Sequence, residues 1–271
     1  SDTGQSKTSS FVADAATAHV TTLTIDTDGS AANGTAQNSA TATVMDSQNN
    51  ILANTTVNWT TTGLAGLTSG TSTTNSSGQA VMTFTDTKAE TITLTAKAGS
   101  SDTGQSKTST FVADVDTAKI DSLTITKDGS PADGSTANTA TVVVSDINGN
   151  PLSGMAVTWS ADKSTVTMTP AGNTDSTGKA SVSFVDTTAE TLQLTSSLSN
   201  GSTLSQNSEF VIDTAGLKIS QFYSASSADI HDSTVLRLFV QDKFGKPVNG
   251  ANVRLSVTGS AQLEYTSGVT S

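Results

Sequence analysis

The chain has 271 residues, room for two or three domains. Charged residues make up only 14 % and aromatics 4 %, so a core must be built mainly from Val, Ala, Leu and Thr. The net charge of −11 comes with no Lys/Arg cluster, which argues against nucleic acid and against anionic lipid surfaces as partners. Low charge also argues against a disordered polyelectrolyte. No run of about 20 apolar residues could cross a membrane as a helix.

Residues 1–14 carry the first signal. Ser1-Asp2-Thr3-Gly4-Gln5-Ser6-Lys7-Thr8-Ser9 recurs letter for letter at Ser101–Ser109, and Phe11-Val12-Ala13-Asp14 recurs at Phe111–Asp114. The 100-residue offset continues without a gap to about residue 195, and 44 of the first 100 positions are identical in the second copy. A period of that length is an autonomous domain rather than a solenoid unit. The repeated Lys-Thr-Ser-x-Phe-Val segment is read as a closing strand. Residues 1–14 are then the last strand of a preceding domain, and the chain is expected to be cut from a longer protein that carries no signal peptide here.

Strands follow near 20–26, 39–46, 55–62, 68–74, 79–85, 91–98 and 105–112 in the first copy. Each rests on period-2 alternation: Ala40, Ala42 and Val44; Val57, Trp59 and Thr61; Ala80, Met82 and Phe84; Ile92, Leu94 and Ala96. Asp28-Gly29-Ser30, Asn148-Gly149-Asn150-Pro151 and Asn75-Ser76-Ser77-Gly78 mark turns. Seven strands per copy predict an all-β protein of tandem immunoglobulin-like sandwiches, with helix nearly absent. The frame is 15–114 for the first domain and 115–213 for the second. Residues 214–271 form a partial third copy, in which Lys218–Phe222 and Asp242–Gly250 follow the second copy and Leu255 takes the place of Trp159. That copy stops about 40 residues short of a full sandwich. The joints are a few residues long without Gly/Ser spacers, so an elongated, semi-rigid rod is expected.

Asp128-Gly129-Ser130, the run from Ala140 through Asp146, Gly149-Asn150-Pro151-Leu152, Gly154, Val157 and Trp159, and then Asp175-Ser176, Gly178, Ala180, Val182 and Phe184 together resemble the bacterial immunoglobulin-like domain, group 1 (Big-1), of the intimin/invasin adhesins. The resemblance covers both full copies and the start of the third. The first copy departs at Gln48-Asn49-Asn50-Ile51, where the family prefers Gly and Pro. What the resemblance implies is a passenger of an inverse autotransporter, anchored in the outer membrane by a β-barrel outside this fragment and displayed on the bacterial cell surface. Its partner would be a host cell-surface or matrix component. The leading expectation is a non-enzymatic stalk, each domain adding about 40 Å of reach. The alternatives are a module that binds a host protein or glycan directly, with the aromatics Tyr223, Phe239, Phe244 and Tyr265 as the place to look, and an accessory sandwich of a secreted glycosidase. Edge strands leave self-association open.

Cysteine is absent. Either the domain has no need of it, or a surface chain threaded unfolded through a pore avoids disulfide-closed loops. His19 and His231 lack a second ligand at metal spacing, and Lys119 in place of His19 suggests a solvent-facing position. Asp14, Asp114, Asp116 and Asp213 supply carboxylates of the kind calcium clamps use but are read as turn formers, because the dense oxygen ligand set is missing. Glu90 and Glu190, with Asp86 and Asp186, are read as strand entries and turn caps rather than acid/base pairs. Lys7 and Lys107 sit in a polar strand start, unsuited to a buried isopeptide crosslink. Trp59 and Trp159 are in phase with inward valines and are assigned to the core rather than to sugar stacking. No catalytic, cofactor or metal residue is assigned.

Overall fold

The computed structural model describes residues 5–223, 236–259, 262 and 267–270. They form two compact units: Ser1–Lys119 with Ser145–Leu152, and Ile120–Val144 with Ser153–Ser271.

The first unit contains β1 (His19–Thr27), β2 (Asn38–Met45), β3 (Thr56–Thr61), β4 (Gly66–Leu67), β5 (Thr71–Thr73), β6 (Gln79–Thr85), β7 (Thr91–Ala98) and β8 (Gln105–Thr110). They make two four-stranded sheets, β1-β2-β6-β4 and β5-β3-β7-β8. Burial alternates strictly along β2, β6 and β7, so the inward sets Ala40, Ala42 and Val44, then Ala80, Met82 and Phe84, then Ile92, Leu94, Ala96 and Ala98 meet in one core. Trp59 from β3 joins them, and Phe111, just past β8, packs edge-on against Phe84 with ring centroids 5.9 Å apart. The closing strand is tied to the segment before β2 by a parallel bridge, Ala31 with Val112, and by Gly29 N–H donating to Thr110 O and Ala32 N–H to Val112 O.

The strand expected over 68–74 divides into two. Gly66–Leu67 pairs with β6 in one sheet, and Thr71–Thr73 pairs with β3 in the other. Gly70, between them, lets the chain cross with few side-chain constraints. Gln5–Asp14, identical to the closing segment except at residue 10, lies in no strand. Phe11 is 99 % exposed where Phe111 is 2 % exposed. The sequence is the same; what differs is a sheet edge to pair with.

The second unit holds β9 (Lys119–Lys127, its first residue in the first unit), β10 (Ser130–Pro131), β11 (Asn138–Ser145, its last residue in the first unit), β12 (Thr158–Ala161), β13 (Thr167–Pro170), β14 (Lys179–Val185), β15 (Thr191–Ser197) and β16 (Thr203–Val211), in sheets β13-β14-β11-β9 and β10-β16-β15-β12. β10 pairs parallel with β16, and Phe184 meets Phe210 at 5.9 Å, repeating the first sandwich. β17 (Lys218–Tyr223) pairs with β18 (Arg237–Gln241), and β19 (Asn252–Arg254) with β20 (Ser267–Val269), as two-stranded pieces. The only helical elements among the described residues are 3-10 turns at Ala15–Thr17, Val115–Thr117 and Thr214–Gly216.

Candidate functional site

The sequence-singled carboxylates bond to their own folds. Asp14, Asp114 and Asp213 each accept from the amide two residues on, opening the three 3-10 turns. Asp86 and Asp186 accept from Lys88 N–H and Thr188 N–H, which caps the turn after β6 and β14. Glu90 accepts from Leu64 N–H at 2.7 Å and pairs with Lys88 at 2.6 Å. Glu190 accepts from Thr165 Oγ1 at 3.2 Å instead. No group of three or more His, Cys, Asp or Glu side chains close enough to hold a metal occurs among the described residues. His19 is half-buried, not solvent-facing, with Nδ1 3.2 Å from Thr17 O. The substituting Lys119 is half-buried too, its ammonium reaching Ser145 Oγ, so the position accepts both by turning a long polar tip along the sheet edge. Lys107 is exposed on β8. His231 and Tyr265 lie outside the described residues, as does the side chain of Tyr223.

Trp59 and Trp159 are 3 % and 8 % exposed, inside the sandwiches. Trp59 Nε1–H donates to Ser72 Oγ at 2.8 Å, whereas Trp159 Nε1 has no hydrogen-bond partner. Phe239 and Phe244 are 49 % and 44 % exposed, and the Lys243 ammonium stands 5.1 Å over the Phe244 ring. Lys243 also reaches Asp213 at 3.3 Å, and Lys246 bonds Thr188 Oγ1.

Two polar networks stand behind segments that the sequence marks only as turns. In the first, Asn38 is fully buried; its Oδ1 accepts from Ser30 N–H, and its Nδ2 donates to Ser109 Oγ and Thr110 O, both at 2.9 Å. Asp28 Oδ1 accepts from Thr110 N–H and Ser109 Oγ–H. These bonds, the Thr110 amide first, hold the Asp28 carboxyl below the usual carboxylate range against its partial burial. Asn138, Asp128, Ser208 and Glu209 repeat the network. The recurrence of Asp-Gly-Ser and Asn at a fixed offset was the available signal.

The second is a carboxylate-centred turn. Asp46 Oδ1 accepts from Gln48 and Asn50 N–H, and Oδ2 from Asn50 Nδ2 and from Asp14 N–H. The Asn50 amide above all holds this carboxyl at about 2. Asp146 is placed alike in the first unit; burial pushes it up, but Asn150 and the amides of Asp114, Asn150 and Asn148 hold it below the ordinary value. Within the same unit Asn150 Nδ2 donates to Thr87 O, Asn150 Oδ1 accepts from Ala89 N–H, and Asn148 Nδ2 donates to Ala32 O. A depressed carboxyl contributes stability that is present above its unfolded value, near 3.8, and lost as the pH falls through about 2. The difference in urea midpoint between the parent and Asp46→Asn is therefore expected in full at about pH 5 and should shrink as the pH falls toward and through about 2; a constant difference across that range would contradict the assignment.

A surface depression of about 460 Å³ is an open face of the second unit lined by Ser122, Thr124, Thr126, Thr141, Asp175 and Lys179. Three of its hydroxyls already pair, Thr126 with Thr139 and Thr141 with Ser181. Nothing there converges on a reacting atom.

The bacterial Ig-like domain (group 1) family matches at residues 20–112 and 120–211. The inverse autotransporter adhesin YeeJ of Escherichia coli (strain K12) is 34 % identical over 277 residues, covering 96 % of this chain and 12 % of that protein, so the chain spans a small part of the relative's length. Among solved structures, the Escherichia coli adhesin FdeC is similar with a TM-score of 0.58 at 17 % identity, over 92 % of this chain and 84 % of that one. Yersinia pseudotuberculosis InvD also gives 0.58, at 18 % identity, over 87 % and 73 %. At these identities the two likenesses concern the fold.

Proposed function

The chain belongs to the bacterial Ig-like domain (group 1) family, and on that premise we propose that it is a non-enzymatic spacer segment in the passenger of a bacterial surface adhesin. It carries a distal binding domain away from the outer membrane toward a host cell-surface or matrix component. The domain frame is 15–114, 115–213 and a partial 214–271, with residues 1–14 closing a preceding domain. The observation that carries this reading is where the two copies agree. Identity falls on the core, the turns, the closing strand and the Asn38/Asn138 network, while the candidate chemistry at His19 and Asp116 changes between copies. The carboxylates and buried amides described above bond within their own compact units, and a spacer needs no more.

The name of the relative supports an adhesive role for the protein that contains such a segment. Deleting residues 15–213 from the full-length surface protein is expected to shorten the display and leave the affinity of the purified distal part for its target unchanged. Saturable binding of an isolated 15–213 fragment to host cells would overturn the reading. The exposed Phe239 and Phe244 favour one second reading, in which the third copy itself contacts a host protein.

A further inference from the structure

The second copy departs from the first and third at one sheet edge. In the first, β5 covers the outer edge of β3, with Thr56 opposite Thr73, Val57 opposite Ser72 and Asn58 opposite Thr71. Trp59 N–H donates to Gly70 O at 2.9 Å, and Trp59 Nε1–H to Ser72 Oγ at 2.8 Å. In the third, β19 and β20 pair in the same way, Val253 opposite Gly268. In the second, β12 ends its sheet, and Ala171–Asn173, the segment that should cover it, lies in no strand.

Pro170 explains the difference. It stands where the first copy has Gly70. A proline fixes its own φ and holds the preceding residue extended. Thr167–Pro170 therefore stays on β14 as β13, with Pro170 opposite Val182, and Ala171 N–H still donates to Ser181 O. The chain crosses too late to reach β12. Three marks of the missing strand remain. Trp159 Nε1 is buried without a partner. Gly172, in the place of Ser72, has nothing within 4 Å of where a Cβ would stand, and Val157 is half-buried where Val57 is fully buried.

We propose that the outer edge of β12 is a docking slot for an extended strand of a partner protein that carries serine or threonine opposite Val157. The first copy shows what fits: an antiparallel segment whose backbone pairs with the edge and whose central hydroxyl accepts from the indole N–H. This is strand addition with a single side-chain requirement. The slot lies wholly within the second unit and is independent of the spacer reading.

The probe is the capped tetrapeptide Gly-Thr-Ser-Thr, the sequence of residues 70–73, because the chain's own Thr174 already holds the next position against Met155. It is titrated into the full chain carrying 15N-indole tryptophan. Two indole signals are expected. That of Trp59 is already protected and serves as the internal control; that of Trp159 should shift saturably and slow its hydrogen exchange at least tenfold. A peptide with valine for the central serine should bind at least fivefold more weakly. Pro170→Gly combined with Gly172→Ser should let the chain's own segment cover β12 and supply the hydroxyl, protecting Trp159 without peptide and abolishing the titration. Absence of a saturable shift, an equal response to the valine peptide, or a Trp159 indole already protected in the free parent chain would overturn the proposal. So would protection that grows with the concentration of the chain alone, which would seat a second copy in the slot.

Discussion

Trp59→Ala lowers the stability of the first sandwich by about 3–5 kcal/mol, a large share of what one domain has. The change empties the centre of a core in which Val57, Ala96 and Leu94 are buried around the ring, and it strands Ser72. Trp159→Ala costs its sandwich less. The same ring volume is lost, but the native state there already carries an unmatched buried donor, a burden of about 1–3 kcal/mol that leaves with the side chain. The conservative pair separates these terms. Both Trp→Phe changes lose the same ring volume, but Trp59→Phe also forfeits a bond while Trp159→Phe also removes the orphan donor, so the second should cost less than the first by about 1–3 kcal/mol. Native-state hydrogen exchange at core amides of each sandwich, Leu94 for the first and Leu194 for the second, reads each case, and equal losses at the two positions would contradict the account.

Asn38→Leu is expected to destabilise the first sandwich by about 3 kcal/mol or more, with Asn138→Leu doing the same in the second. The leucine is of similar size, so the cost is not a cavity. It is the loss of the buried donors and acceptor that serve Ser30, Ser109 and Thr110, with Asp28 left as a charge whose neighbours have shifted. Hydrogen exchange at Thr110 and Val112 should accelerate before exchange at Leu94 or Val44, because the closing strand loosens first. Uniform acceleration across the sandwich would point to a general core defect instead.

Much of this fold was legible because Trp59, Phe84 and their copies sit in simple alternation, and a half-buried strand writes its burial into every second residue. The fourth strand was not legible as it stands. Thr68–Thr74 carries no alternating apolar set, so local pattern could not reveal that one part pairs with β6 and the next with β3. The copies themselves held a clue: residues 61–70 and 161–170 share no identical position, and Gly70 against Pro170 lies in that stretch. The polar networks were half legible. Asp28-Gly29-Ser30 does form a turn, but its bond to Thr110, some 80 residues on, is a tertiary fact that turn chemistry does not contain.

The parallel pairing of Gly29–Ala32 with the closing strand at Thr110–Val112, and of β10 with β16, has a mechanical consequence. When a sandwich is pulled by its two ends, one member of a parallel pair is drawn one way along the strand axis and its neighbour the other. The load therefore acts in shear across the pair, and its hydrogen bonds must break together rather than peel one at a time. Asp28 and Asn38 add their bonds to the same line. A domain built this way resists tension applied along its ends, which is the property the proposed spacer role requires.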